Sequence, residues 1–586
     1  MKRKLLLFIA IIFICYLGYT TISADFTKTE DTIYINGNII TLESELPIAT
    51  AMFIKNGRIE AIGKHTEVIH FKNKDIKIVD LKGATLLPGF IDSHSHVALS
   101  AFLESMIDLS GFKHQTNAEV WDYLKEQLAS KKEGEWVVCK GIDPILIEDL
   151  KTPNIGFLDS ISPKNPIILI SQSLHTYWAN TQAFSKSGIT KDTKNPSKMS
   201  YYERDAAGEL TGLIAEQEAF LPIYEQLKKK ILSPKSLINS TVNVLQAYAK
   251  NGNTTVVSAG ISISDDKPLR LYEHLSTKSP SFTNQLLTAF GMLPKRSQYP
   301  RHFIYIRHDK AFLLPKERDI SNDFYNILGI KHWYDGSPYT GSMFIDKPYM
   351  VSELTKNGLH IPEGYAGKPL IKEPDLLNFI KKYSSDGWQI AIHSQGDISS
   401  QHVLKAFNAV NKEIKTNSLR HRIEHCLLLS ENSLSEMKRL HITPSFHINH
   451  LYYYGNALAD NIIGKERAQK TLPVGTAQKM GIKYSMHADQ PMFESKPFHL
   501  IQTAILRQTK EGDTLGMHQK ITLLEGLKAM TINAAWQLHM EDKIGSLKKG
   551  KYGDFIILNQ NPFKIQLTEL HTIKIEKTFI NGNEVK

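Results

Sequence analysis

Two histidines separated by one residue, His94 and His96, end the short apolar run that follows Pro88-Gly89. On a β-strand, residues two apart point to the same face, so the two imidazoles converge on one point. Converging imidazoles suit a divalent metal ion. The pair alone is weak evidence, because many such pairs are chance surface histidines. Further ligands elsewhere in the chain are needed to predict a metal site.

Further candidate ligands end other apolar runs. His393 ends WQIAIH, His425 ends RHRIEH and Asp489 ends IKYSMHAD. The C-terminal ends of parallel strands are where a barrel fold places its catalytic groups. Four histidines and one carboxylate in such positions are poorly explained as core polar residues. Together they predict a metal centre at the mouth of a barrel.

The elements around these motifs alternate between strand and helix. Strand-like apolar runs occupy residues 166–171, 254–260, 388–394 and 482–489. Residues 522–538 predict one of the helices between and after them, with a capping box at Thr522 and Glu525. This alternation predicts a parallel α/β sheet or barrel.

Both ends of the chain are rich in short strands. Residues 31–82 contain Asn36-Gly37 and Asn56-Gly57, which are hairpin signals when they separate apolar segments. Residues 552–559 and 577–585 repeat this pattern. The two ends are therefore expected to form one small β-domain beside the central barrel.

The first 24 residues have the layout of an export signal. Lys2, Arg3 and Lys4 precede an apolar run from Leu5 to Tyr19, and small and polar residues follow. The run is short for a membrane-spanning helix, which needs about 20 residues. A cleaved signal is favoured, and an uncleaved anchor is the alternative. We expect a protein exported to a bacterial periplasm or anchored by this segment to the membrane at the cell surface.

Composition and charge limit the class of protein. Apolar residues make up 42% of the 586 residues and charged residues 22%, as in ordinary globular proteins. Lys and Arg exceed Asp and Glu by ten, without the dense basic stripe of nucleic-acid binders. We expect a small-molecule substrate and no nucleic-acid partner, and a homodimer is a candidate assembly.

Taken in order, the motifs resemble those of the amidohydrolase superfamily, in the amidohydrolase-3 group that includes N-substituted formamide deformylases. The motifs are KNGRIEAIG, LLPGFIDSHSHV, LHTYWANTQAF, AGELTGLIAE, GIKHWYDGS, IAIHSQGD, RHRIEH, HADQP and IGSLKKGKYGDFIIL. The resemblance implies an α/β fold: a (β/α)8 barrel with a small β-sandwich built from both chain ends and an inserted substrate lobe. It also implies one or two divalent metal ions, usually zinc, and hydrolysis of a carbon–nitrogen bond.

The leader and the resemblance together imply a domain organisation. Residues 1–24 are the signal peptide or anchor, and residues 25–84 and 541–586 form the two parts of the β-sandwich. Residues 85–540 form the barrel. An insertion at about residues 105–235 is too long for one loop after the first strand, and it is expected to set the substrate.

Six residues match the metal ligands of the family. They are His94, His96, Lys331, His393, His425 and Asp489. Lys331 matches the lysine that carries CO2 as a carbamate and bridges two metals, and the alternative is an ion pair with Asp335 or another acid. Asp489 matches the aspartate that both touches metal and moves the proton. Arg422 and Glu424 are expected to orient their neighbours.

The implied mechanism is attack on a carbonyl carbon by hydroxide, because zinc lowers the pKa of its bound water to about 7. Asp489 takes up the proton and passes it to the departing nitrogen. Two other functions stay open at this point. One is a lactonase or esterase that uses the same metal centre, and the other is a non-catalytic, metal-stabilised binding or regulatory protein.

Further residues are expected to contact the substrate. His175 lies in the LHTYWANTQAF segment, whose histidine lines the pocket in this group, whereas Trp178 of the same segment is favoured as core of the inserted lobe. Trp333, two residues after Lys331, would share its inward face on a regular strand. Tyr339 follows a glycine-containing turn and is expected at the rim of the pocket.

Two positions depart from the group's pattern. Many relatives have Gln-Pro where this chain has His447-Ile448, although His450 still matches the usual histidine, and we expect both histidines to contact substrate. Many relatives also have Gly-Ser where this chain has His487-Ala488. These histidines add two titratable groups near the metal site, which favours a more polar or anionic substrate.

Overall fold

The computed structural model describes residues 29–147, 149–197, 200–230, 233–261, 263, 265–277, 282–294, 298–318 and 321–585. The expected signal or anchor, residues 1–24, lies outside the described residues. Within the described ranges, no helix has both the length and the apolar character needed to cross a membrane.

The N-terminal part forms short strands and one short helix. They are β1 (Thr32–Ile35), β2 (Asn38–Ile40), β3 (Ile48–Ala49), β4 (Ala51–Lys55), β5 (Arg58–Gly63), α1 (His65–Val68), β6 (Lys77–Asp80) and β7 (Thr85–Pro88). β4 and β5 pair antiparallel around Asn56-Gly57. Both turn residues have positive φ, at 50° and 79°, which is the conformation that Asn-Gly adopts readily.

The first barrel strand is β8 (Phe90–Ser95), and a long segment, called the excursion below, separates it from the next barrel strand. The excursion contains α2 (Val97–Glu104), β9 (Ile107–Asp108), α3 (Asn117–Ala129), β10 (Val137–Ile142), α4 (Ile155–Ile161), β11 (Ile167–Ser171), β12 (Thr176–Ala179), α5 (Thr181–Lys186), β13 (Tyr201–Arg204), β14 (Leu210–Ala215), α6 (Glu216–Lys230) and α7 (Pro234–Lys250). Its strands form their own six-stranded sheet, in the order β13-β14-β12-β11-β10-β9. Trp178 is buried in an apolar cluster on this sheet.

The remaining barrel strands follow in chain order. They are β15 (Asn253–Ile261), β16 (Arg301–Arg307), β17 (Tyr325–Trp333), β18 (Gln389–Ser394), β19 (Arg422–His425), β20 (Thr443–His447) and β21 (Ser485–His487). With β8 they form an eight-stranded parallel sheet in sequential order. The Ser93 hydroxyl donates to the Ser485 hydroxyl at 2.8 Å, so β8 and β21 lie side by side and the barrel is nearly closed.

Helices surround these strands and follow the last of them. They are α8 (Lys267–Ser276), α9 (Phe282–Ala289), α10 (Glu373–Ser385), α11 (Asp397–Glu413), α12 (Glu431–Leu440), α13 (Asn449–Ala457), α14 (Lys465–Ala468), α15 (Val474–Lys479), α16 (Pro497–Leu506), α17 (Leu523–Ala529) and α18 (Ile532–Gln537). Residues 522–538 thus form two helices and not the single expected one, because Thr531 has non-helical dihedral angles (φ −138°, ψ −96°). The Thr522 hydroxyl caps the first helix by accepting from the Glu525 N–H.

The last strands return to the N-terminal part. They are β22 (Phe555–Leu558), β23 (Ile575–Ile580) and β24 (Asn583–Glu584). They extend one six-stranded sheet, in the order β24-β23-β22-β7-β2-β3, that contains both ends of the chain. A second sheet, β5-β4-β1-β6, shares an apolar cluster with it through Tyr34, Met52, Leu86, Phe555 and Phe579.

A buried ion pair ties the strands of the chain ends to the barrel. The Arg301 guanidinium on β16 donates two hydrogen bonds to Asp554, at 2.7 and 3.0 Å. Asp554 also accepts from the backbone N–H of Asn581 at 2.8 Å. Bidentate pairs of this kind hold their partners in one geometry. They therefore fix the C-terminal strands against the side of the barrel.

Candidate active site

His94 ends β8 and is held by a buried chain of charged groups. Its Nδ1 lies 2.6 Å from Glu424 Oε2, and the Arg422 Nη2 donates to the same Glu424 oxygen at 2.9 Å. All three side chains are fully buried. A carboxylate on one imidazole nitrogen fixes the ring and leaves the other nitrogen free to face a metal. Arg422 and Glu424 thus orient His94, and its Nε2 faces the centre of the barrel mouth.

Asp489 follows β21 and faces the two histidines of β8. Its Oδ1 lies 3.0 Å from His96 Nε2 and 3.4 Å from His94 Nε2. Burial opposes ionisation of this carboxyl. The close imidazoles of His96 and His94 nevertheless hold its pKa well below the usual range. Asp489 is therefore a carboxylate beside the histidine pair.

Lys331 on β17 points into the same cluster. Its Nζ lies 3.4 Å from His94 Nε2, and the side chain is fully buried. Burial lowers the pKa of this amine to about 8. Its expected alternative partner, Asp335, instead accepts hydrogen bonds from the backbone N–H groups of Gln395 and Gly396, at 3.0 and 2.9 Å.

His393 and His425 complete the set of ligands that the sequence proposes. His393 Nδ1 lies 3.2 Å from Asp335 Oδ1, which orients its ring. The ring centroids of His393 and His425 are 4.4 Å apart, and those of His94 and His425 are 4.7 Å apart. The six proposed ligands therefore lie around one point, although they come from the ends of five different barrel strands.

Two further histidines enter this cluster. His487 stacks on His94 with ring centroids 4.6 Å apart, and its Nε2 lies 3.4 Å from His425 Nδ1. His447 ends β20, and its Nδ1 lies 3.9 Å from Asp489 Oδ2. The sequence pattern placed both near the metal without a ligand role. That role depends on which way each ring points, and only the tertiary structure shows this.

The donor set fits a metal ion. Three groups of side chains each bring their ligand atoms within 4.8 Å of one another: His94, His425 and His487; His94, His96 and Asp489; His425, His447 and Asp489. Imidazole nitrogen and carboxylate oxygen are the donors that zinc and similar divalent ions prefer. Asp489 Oδ1 and both nitrogens of His447 are buried without a well-formed hydrogen bond among the described residues. The residues present therefore suit the metal that the resemblance implies.

A cavity of about 120 Å³ opens above this cluster. It is lined by His94, His96, Ser173, His175, Trp333, Ser337, His393, Gln395, His425, His447, His450, Asp489 and Met492. Four of the five expected substrate contacts, His175, Trp333, His447 and His450, face it. Ser173 and His175 belong to the excursion that forms the six-stranded sheet, so the excursion supplies part of the cavity wall. The His175 Nδ1 lies 2.9 Å from Glu216 Oε2, which holds the imidazole in place.

Tyr339 is the exception, because it is not among the residues that line this cavity. The turn that contains it directs the ring inward against Tyr454, with ring centroids 4.3 Å apart. Its hydroxyl lies 2.6 Å from His450 Nδ1, one layer behind the cavity wall. Burial raises the pKa of Tyr339 well above its ordinary value, so the hydroxyl keeps its proton. The other ring nitrogen of His450, Nε2, has no hydrogen-bond partner among the described residues.

The chain belongs to the amidohydrolase family, whose model matches residues 77–586. This confirms the resemblance seen in the motifs. It also makes the protein an enzyme, a hydrolase of the amidohydrolase type.

Individual relatives agree with the family assignment. The chain is 25% identical to an N-substituted formamide deformylase of Arthrobacter pascens, over 95% of this chain and 98% of that protein. It is also 25% identical to the Protein LONG AFTER FAR-RED 3 of Arabidopsis thaliana, over 95% of this chain and 91% of that protein. A solved structure of an uncharacterized metal-dependent hydrolase from Pyrococcus horikoshii superposes with a TM-score of 0.68 at 20% identity, covering 92% and 99% of the two chains. This superposition shows that the fold is shared.

Proposed function

We propose that the protein hydrolyses the carbon–nitrogen bond of a small N-substituted formamide or related amide. The observation that carries the proposal is the convergence of the imidazoles and Asp489 at the ends of the barrel strands, beneath an open cavity. The relative from Arthrobacter pascens supports formamides as the first substrates to test.

The residues would hold one or two divalent ions, with zinc as the first candidate. His94, His96 and Asp489 would hold one, and His393, His425 and Lys331 would hold the other. A bound ion would polarise the carbonyl group and acidify water. A carbamate forms when the neutral amine of Lys331 adds to CO2 and loses one proton, and the buried position of this lysine favours the neutral amine.

Asp489 would carry the proton. Its carboxylate faces the cavity with 16% of the side chain exposed, so it can reach a water molecule there. It accepts a proton as the oxygen of water attacks the carbonyl carbon. As the carbon–nitrogen bond breaks, it returns this proton to the nitrogen. The group then leaves as a neutral amine and not as an unstable amide anion.

The size of the cavity supports a small acyl group. A volume of about 120 Å³ corresponds to roughly four water molecules. A formyl group fits in such a space, whereas the substituent on nitrogen would extend past His175 towards solvent. His450 lines the cavity, and its Nε2, which has no hydrogen-bond partner among the described residues, would donate to the carbonyl oxygen of the substrate in the tautomer that carries the N–H there.

The finer architecture and the location of the protein form part of the proposal. We propose that the two sheets sharing the Tyr34 cluster form one β-sandwich, and that the sheet of β9–β14 is a substrate lobe. The segment before residue 25 is proposed to direct export to the periplasm or cell surface.

Substitution of Asp489 by Asn tests the mechanism, since Asn keeps the size but cannot take a proton. General acid–base groups contribute about 10²–10⁴-fold, so kcat should fall by at least this factor for an N-alkylformamide. Metal content should change little. Asp122→Asn, on an exposed helix face, is the matched control and should keep wild-type kcat.

Two outcomes would contradict the proposal. If Asp489→Asn loses metal in proportion to activity and excess zinc restores the rate, Asp489 is only a ligand. If the metal-loaded wild type hydrolyses lactones or esters but no amide or formamide, the carbon–nitrogen specificity is wrong. Metal analysis and a substrate panel on the same preparation separate these cases.

A further inference from the structure

We propose that His447, at the end of β20, is a metal ligand and binds a divalent ion together with His425 and Asp489. The inference rests on the proposed function, because it concerns the same cavity. It goes beyond the ligand set that the family resemblance implies, in which position 447 holds no ligand.

The first observation is the isolation of the His447 ring. Its side chain is 1% exposed, and neither ring nitrogen makes a well-formed hydrogen bond among the described residues. Buried polar atoms almost always have a partner, so each exception needs an explanation. A neutral imidazole carries an N–H on one ring nitrogen and a lone pair on the other, and that lone pair is what binds a metal ion.

The second observation is the position of that ring. His447 Nδ1 and His425 Nδ1 each lie 3.9 Å from the same oxygen, Asp489 Oδ2. Ligand atoms on a tetrahedral zinc ion with bonds of about 2.0–2.1 Å are about 3.3 Å apart. The two distances to Asp489 Oδ2 would therefore contract by roughly half an ångström when these side chains bind one ion.

The third observation is that the two oxygens of Asp489 face different histidines. Oδ1 faces His94 and His96, whereas Oδ2 faces His425 and His447. A carboxylate with this orientation can bridge two ions. The cavity thus offers a second ion position on the side of β19 and β20, in addition to the position at the histidine pair of β8.

The packing of His447 distinguishes it from its neighbour His487. The Nδ1 of His487 has a partner, the Ser445 hydroxyl, at 2.8 Å. The ring of His447 is instead held by other rings, with centroids 4.1 Å from His450 and 5.4 Å from Phe493. These contacts fix the direction of the ring and leave its nitrogens to the cavity.

The test measures zinc bound per chain for the wild type, His447→Phe and His447→Gln after equilibration in buffered zinc. We expect two ions in the wild type and one in each variant, with the affinity for the second ion lowered at least 100-fold. His402→Gln is the matched control, because that imidazole bonds the Tyr334 hydroxyl away from the cavity. It should keep both ions, and circular dichroism should show all four proteins folded.

Unchanged zinc stoichiometry and affinity in His447→Phe would overturn the inference while leaving the proposed function intact. A wild type that binds no divalent ion would instead overturn the proposed function. If both His447 variants fail to fold, anomalous scattering from zinc-loaded wild-type crystals decides. An ion within bonding distance of a His447 nitrogen supports the inference, and fully occupied ions that all lie farther away reject it.

Discussion

The wall of the barrel and its mouth each contain buried histidines, and His421 and His447 show how the two regions differ. In the wall, His421 Nδ1 accepts from the Ile390 N–H at 3.0 Å and its Nε2 lies 3.2 Å from the Ser384 hydroxyl. At the mouth, His447 has no such partner among the described residues. Burial lowers the pKa of both imidazoles to about 3. Burial and pKa therefore do not separate a structural histidine from a ligand, whereas the partners of the ring nitrogens do.

Other histidines at the mouth of the barrel also pack against one another. The rings of His94, His425 and His487 lie within 5.2 Å of one another, centroid to centroid. Neutral imidazoles can pack so closely, and their ring nitrogens then approach one another, as His487 Nε2 and His425 Nδ1 do at 3.4 Å. A divalent ion satisfies several lone pairs at once, which is why such packing marks a binding region.

The largest expected difference between mouth and wall is in metal content and activity, and the histidine pair at the end of β8 tests it. The double variant His94→Ala/His96→Ala lacks two ligands, so bound metal and activity should both be lost. Its circular dichroism spectrum should still be that of the folded protein. His421→Asn, in the wall, should keep its metal and its rate. A double variant at β8 with full metal content and wild-type kcat would show that the ligand assignment is wrong.

A smaller effect is expected at Lys331. Lys331→Ala should lose one metal ion and part of the activity, because the variant cannot form the carbamate. Added formate or acetate should restore part of the rate by supplying carboxylate oxygens. The measurement is kcat and zinc content with and without the added acid. A crystal structure of the fully metal-loaded enzyme with an unmodified Lys331 amine far from metal would contradict this prediction.

The smallest effect concerns stability in acid. The pKa of His421 is about 3 in the folded protein and about 6.5 when unfolded, so its contribution to stability is complete above pH 6.5 and is lost as the pH falls. At pH 5 this loss is on the order of 2 kcal/mol. His421→Asn cannot titrate, so its unfolding free energy should fall less between pH 7.5 and pH 5. Parallel denaturant titrations at the two pH values, with an equal loss in both proteins, would refute the assignment.

Much of the barrel could be predicted from the sequence, since apolar runs ending in polar residues mark buried parallel strands. The runs at 254–260 and 388–394 correspond to β15 and β18. The run at 482–489 gives only three strand residues, Ser485–His487, because Asp489 already has positive φ at the cavity. Local pattern shows where a strand ends but not how its last residues turn.

The sequence predicted which residues belong to the candidate site better than it predicted how their side chains are arranged. Residue types and strand ends pointed to His94 and Asp489 as neighbours across the closure of the barrel, and they lie 3.4 Å apart. The position of Tyr339 behind His450 depends on a contact between residues 111 positions apart, and the unpartnered nitrogens of His447 depend on how its ring packs against other segments. No spacing within one segment encodes such contacts.

The sheet that contains both chain ends has a consequence for synthesis on the ribosome. β7 pairs with β22, so a strand made early hydrogen-bonds to one that ends at residue 558. At a translation rate of about 5–20 residues per second, the first strand waits roughly 20–90 s for its partner. During that time its apolar residues, Leu86 and Leu87, lack the surface that later covers them. The nascent chain therefore has to be shielded from aggregation until its last tenth has emerged.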